Sequence, residues 1–102
     1  MKILLVCSTG MSTSLLVNKM NEISSEKSRN DEIWAVPQSE LENNIKKCDV
    51  LLIGPQMRMM LPQIKKLASD NNNVPYALIP ANIYSRVDGS SVLELADTLL
   101  NS

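Results

Sequence analysis

The chain has 102 residues, 44% of them hydrophobic and 21% charged, with 10 basic against 11 acidic side chains and no histidine. That length fits one compact domain over residues 1–102, and the near-neutral balance leaves no broad cationic surface to neutralise nucleic-acid phosphates. Without an imidazole the chain cannot build a Ser-His-Asp triad, a Cys-His dyad or a Cys2His2 zinc site, nor carry a phosphohistidine; neither a metal nor a cofactor is expected.

Short β-type runs alternate with longer amphipathic stretches, which predicts an α/β fold built of βαβ units around a parallel sheet. Residues 3–6, Ile-Leu-Leu-Val, form a continuous apolar run suited to a strand covered on both faces, ending at Cys7. A helix beginning at Leu15 follows, with Leu16, Met20 and Ile23 on one face and Asn18, Lys19, Glu22 and Glu26 on the other. Residues 32–36 make the second strand, and residues 39–47 a weak helix with only Leu41 and Ile45 at helical spacing. The third strand, residues 50–53, resembles the first and closes on Gly54-Pro55.

Met57, Met60, Leu61, Ile64, Leu67 and Ala68 then form a helical stripe that Pro62 either kinks or opens from its first turn. The fourth strand, residues 74–79, contains Pro75 and precedes Pro80, which places it at an edge, where a missing ladder donor is tolerated. Val92, Leu95, Ala96 and Leu99 define a last helix, with Asp88 as its cap. No apolar run approaches the ~20 residues that cross a bilayer. The apolar start passes at once into polar residues, unlike a signal peptide, so a cytoplasmic location with both cysteines as thiols is expected.

The residues with the clearest chemistry are Cys7, Ser8, Thr9, Gly10, Met11, Ser12, Thr13 and Ser14. Ligands of open parallel sheets bind beyond the carboxyl ends of the strands, where Cys7 falls. Small and hydroxyl residues let consecutive backbone N–H groups converge there, and the next helix adds its positive dipole end, which suits a phosphoryl group. The same field favours thiolate over thiol and makes Cys7 a candidate nucleophile. Cys48 precedes the third strand, at the opposite sheet edge and roughly 15 Å away, beyond disulfide reach, and reads as structural.

A hydrolase on such a loop is the competing reading. Low-molecular-weight tyrosine phosphatases place a nucleophilic cysteine after the first strand and an arginine six residues later, where this chain has Thr13. Without the bidentate guanidinium, hydrolysis is disfavoured, while holding and passing on a phosphoryl group is not. Tyr84 and Asp88 lie after the fourth strand and are candidate borders of the site, though Asp88 fits a helix cap and Tyr84 fits ordinary packing equally well. Arg58 reads either as a docking residue or as a solvated arginine.

Residues 7–16, the segment 52–57 with Met60-Leu61-Pro62, and residues 83–89 together resemble the enzyme IIB component of the phosphoenolpyruvate-dependent sugar phosphotransferase system, lactose/cellobiose family. The resemblance implies a four-stranded parallel open sheet of order 2-1-3-4 with helices on both faces, similar to the low-molecular-weight tyrosine phosphatase fold. It implies that Cys7 accepts phosphate from a IIA phosphohistidine and passes it to a β-linked disaccharide such as cellobiose, chitobiose or lactose. That sugar is held by a membrane IIC permease, so the chain, a monomer, visits the inner face of the membrane. Residues 8–14 supply the N–H cradle. Ser85 departs from the pattern, which has glycine after the tyrosine.

Overall fold

The computed structural model describes residues 1–8 and 10–101, with no side-chain description for residues 10–12. In chain order the elements are β1 (Lys2–Cys7), α1 (Gly10–Glu26), β2 (Glu32–Pro37), α2 (Leu41–Asn44) between short 3-10 turns (Gln38–Glu40 and Ile45–Lys47), and β3 (Val50–Ile53). A 3-10 segment (Pro55–Met60), α3 (Leu61–Asp70), β4 (Tyr76–Leu78), α4 (Ala81–Ser85) and α5 (Gly89–Leu100) complete it. The strands form one parallel sheet of order β2-β1-β3-β4.

The sheet explains the apolar runs. Every residue of β3, and all of β1 after Lys2, is buried, because both central strands are covered on both faces. Side chains alternate between two cores, as the pleat requires. Ile3, Leu5, Val50 and Leu52 pack with Leu16 and Met20 of α1 and with Val92, Leu93 and Ala96 of α5. Leu4, Val6, Leu51 and Ile53 pack with Leu41 and Ile45, with Met57 ahead of α3, and with Ile64 and Ala68 on it. Truncating one of these leucines to alanine costs about 2–5 kcal/mol.

Two boundaries differ from the sequence expectation, and the one left open at Pro62 is resolved. Helix α1 begins at Gly10 rather than Leu15, because Thr13 extends the sheet-facing stripe of Leu16 and Met20 by one turn and is itself buried. Strand β4 is only three residues long. Its edge place is as expected: Pro75 lacks a donor, but its carbonyl accepts from Leu51 N–H and Ile79 N–H continues the ladder to the Ile53 carbonyl. Pro62 sits in the first turn of α3, where its missing N–H has no helical partner to lose.

The amino edge of the sheet is tied by charge. Arg29 donates two hydrogen bonds to Asp97 on α5, at 2.8 and 3.1 Å, and its Nε lies 2.7 Å from Asp31. Burial alone would raise the Asp31 pKa, yet hydrogen bonds from Ser24, Arg29 and the terminal ammonium hold it below the usual carboxylate value. Asp97, then Asp31, keep Arg29 above its ordinary pKa. No helix among the described residues is long and apolar enough to cross a membrane.

Candidate functional site

Cys7 is the last residue of β1, paired across the sheet with Pro37 of β2 and only 2% exposed. The register places its other neighbour. Val6 pairs with Ile53, and Gly54 N–H donates to the Val6 carbonyl at 3.0 Å, so Gly54 lies beside Cys7 at the carboxyl edge. A Cβ built on Gly54 would stand 3.7 Å from Cys7 Cβ, 3.4 Å from Val6 O and 2.6 Å from Gln56 Oε1. Glycine is therefore what lets the Gln56 carboxamide fold back over this turn. Sequence reasoning gave Gly54 only a turn-shaping role and did not weigh Gln56; the parallel register of β1 and β3 is the signal that would have found both.

Helix α1 starts three residues after Cys7, so the N–H groups of its first turn, which have no intrahelical acceptors, lie at the same edge. Of the expected cradle, Ser8 is exposed, and Thr13 and Ser14 lie within α1, buried and exposed respectively. Gly10, Met11 and Ser12 contribute helical backbone, while Thr9 lies outside the described residues.

Thr13 does not face solvent. It is 1% exposed, and its Oγ1 shares a hydrogen bond of 2.6 Å with the hydroxyl of Tyr84, 71 residues away. Tyr84 is thus a packing residue with a polar tip: its ring belongs to the core beneath α1 and α5, and its hydroxyl meets the first turn of α1. Helix α4 holds it there and ends in a tight reversal. Val87 N–H donates to the Tyr84 carbonyl and Asp88 N–H to the Ile83 carbonyl, a Schellman closure. Val87 takes the left-handed position at φ 53°, a conformation costing a β-branched residue about 1–2 kcal/mol.

Asp88 caps α5. It accepts from Ser91 N–H at 3.2 Å and Ser91 Oγ at 2.8 Å, and those bonds, with Arg86 at 3.5 Å, lower its pKa. Its carboxylate is thus engaged at the helix start. Arg58 is exposed in the 3-10 segment after Gly54, beside Met59, which is 87% exposed. Cys48 is buried, its thiol donates to the Ile45 carbonyl at 3.2 Å, and burial pushes its pKa up to about 11. Both cysteines are free thiols. Among the described residues no cluster of three or more His, Cys, Asp or Glu is placed to hold a metal ion.

The carboxyl edge therefore carries the Cys7 thiol and the first-turn N–H groups of α1, with the Gln56 carboxamide over the adjoining Gly54 turn. Known proteins share the whole frame. The chain is 42% identical to the oligo-beta-mannoside-specific EIIB component of the PTS system of Bacillus subtilis, over 97% of this chain and 95% of that protein. It is 38% identical to the galactose-specific EIIB component of Lactococcus lactis subsp. cremoris and 36% to the cellobiose-specific one of subsp. lactis, each with the same two coverages.

Among solved structures, the cellobiose-specific phosphotransferase IIB component from Borrelia burgdorferi superposes with a TM-score of 0.83 at 33% identity, covering 99% of this chain and 92% of that one. The lactose-specific IIB component domain from Streptococcus pneumoniae reaches a TM-score of 0.86 at 16% identity, covering 97% and 96%, and so shares the fold. The profile of the lactose/cellobiose-specific IIB subunits of the PTS system matches residues 2–95. The chain belongs to that family of phosphotransferase components.

Proposed function

We propose that the chain is a cytoplasmic phosphoryl carrier in which Cys7 takes a phosphoryl group from a phosphohistidine on a IIA protein and delivers it to a sugar bound by a membrane IIC permease. The observation that carries this reading is the place of Cys7: last in a central strand, three residues ahead of the α1 N-terminus, in a chain of the IIB family. In the first step the Cys7 sulfur attacks phosphorus, the S–P bond forms, and the N–P bond breaks to release imidazole. In the second, a sugar hydroxyl attacks the same phosphorus and the S–P bond breaks. The sulfur leaves as thiolate, and the hydroxyl proton goes to a base that we assign to IIC.

Little else is required of this chain, because phosphoryl transfer rests on positioning and charge stabilisation. The first-turn N–H groups of α1, with Ser8 and Ser14 beside them, form the cradle of residues 8–14 that faces the negative oxygens. Thr13 stands where a phosphatase would place its arginine, which favours a carrier over a hydrolase. We infer that the sugar is a β-linked disaccharide; of the relatives' names, oligo-beta-mannoside and cellobiose fit that class and galactose does not. The chain works as a monomer, presenting one cysteine to each partner in turn.

Intact mass after incubation with phosphoenolpyruvate, enzyme I, the histidine phosphocarrier and IIA is the test. A phosphate adduct present in wild type and absent in Cys7→Ala is expected. An adduct that survives Cys7→Ala, or steady release of phosphate from an aryl phosphate by the chain alone, overturns the reading.

A further inference from the structure

We propose that the Thr13–Tyr84 hydrogen bond is a latch that fixes the first turn of α1 relative to Cys7, making both residues positioning residues for phosphoryl transfer. The proposal rests on the carrier reading and adds a device to the same site. A cradle of helix N–H groups works only if the helix has one rotation and one axial setting. Only Ser8 and Thr9 separate the last strand residue from the helix, so a small rotation of α1 re-aims every donor. Catalytic geometry is sensitive at this scale, since displacements of about 1 Å cost about a hundredfold in rate.

Apolar packing by Leu16 and Met20 sets the helix on the sheet one and two turns further on, but packing is nondirectional. A directional contact in its first turn is made by Thr13, the fourth residue of α1. Its hydroxyl is turned inward at 2.6 Å from Tyr84 in a buried setting, where losing a hydrogen-bond partner is costly. Tyr84 is itself held rigidly. Its one-turn helix is closed by the paired bonds of the Schellman reversal, at the expense of a left-handed valine. Val87 also packs against the same core as the Tyr84 ring, so the reversal and the ring are fixed together. At the position where a hydrolase would aim a guanidinium at phosphate, this chain ties the side chain down into its core.

The test compares wild type, Tyr84→Phe, Thr13→Val, Thr13→Ser and the Tyr84→Phe/Thr13→Val double variant, each checked for cooperative melting. Transfer from phosphorylated IIA is followed under steady-state conditions. Each single variant lacking a hydroxyl of the pair is expected to lower kcat about ten- to a hundredfold with KM for phospho-IIA unchanged, and the double variant to fall no further. Thr13→Ser, which keeps the hydroxyl, restores most of the rate lost in Thr13→Val. A Tyr84→Phe chain that transfers at the wild-type rate overturns the latch alone. So do losses that multiply in the double variant, because Tyr84 would then act independently of Thr13. Wild type that takes no phosphate on Cys7 overturns the carrier reading, and the latch with it.

Discussion

Gly89 opens α5 where that helix crosses α1, and replacing it with alanine sets two known effects against each other. In an unobstructed site, Gly→Ala stabilises by about 0.4–1 kcal/mol by restricting the unfolded chain. Here the new Cβ would stand 3.1 Å from the backbone nitrogen of Met20, 3.1 Å from Lys19 Cγ and 3.2 Å from Ile23 Cδ1. Carbon contacts are optimal at about 3.5–4.0 Å. The Lys19 stem can swing away, but the Met20 nitrogen moves only if α1 moves, so overpacking of about 1–3 kcal/mol applies. We therefore expect Gly89→Ala to destabilise by about 1 kcal/mol, lowering Tm by about 4–8 °C for a domain of this size. Ile23→Val, which deletes the Cδ1 atom, should return part of that loss in the double variant, although alone it costs about 0.5–1.5 kcal/mol. Thermal melts followed by circular dichroism decide the matter: a higher Tm for Gly89→Ala, or strictly additive effects of the pair, refutes the close-packed crossing.

At Gly54 the same substitution should separate stability from chemistry. Among the described residues the only severe contact of the new Cβ is the flexible end of Gln56, so Tm should shift by less than about 4 °C. On the carrier reading, phosphate loading of Cys7, read by intact mass, should slow because the new methyl stands 3.7 Å from Cys7 Cβ and displaces the Gln56 carboxamide from the Gly54 turn. Cys48 should make the chain sensitive to alkali: its folded pKa of about 11 lies above its ordinary 9.0, so its contribution is complete below pH 9 and is lost as pH rises through 11. That loss is on the order of 2 kcal/mol by urea titration, and Cys48→Ala should flatten it. Arg29→Met should cost about 1–2 kcal/mol, mostly through Asp31, since Asp97 is half in water. Because the Asp31 pKa is lowered, its stabilisation is full above the ordinary value of 3.8 and vanishes as pH falls below it, so wild type and Asp31→Asn should converge in acid.

The central strands were legible because burial on both faces leaves an unbroken apolar run, as in residues 3–6 and 50–53. Pro75 and Pro80 placed β4 at an edge by what they cannot donate. The full strand order came from the family resemblance, since apolar runs do not say which strand neighbours which. Helix α1 was read five residues short because Gly, Ser and Thr have weak helix propensity; the helix extends because Thr13 falls on the buried stripe. Cys7 stood out as a candidate from its neighbours in sequence. What escaped were pairs joined only by folding, such as Thr13 with Tyr84 and Arg29 with Asp97, 71 and 68 residues apart. A polar residue looks alike in sequence whether its partner is water or a distant hydroxyl.

Cys7 is closed in by β2 and β3 on its flanks and is almost wholly removed from solvent. On the carrier reading, that enclosure leaves a single line of approach to phosphorus, along the carboxyl edge. A donor and an acceptor cannot occupy it together, so the two transfers are separated in time and each inverts the phosphorus centre. The group that leaves this protein therefore has the stereochemistry it had on the donor. The cell must also hold a standing pool of the charged form, its size set by the ratio of the two partners' rates.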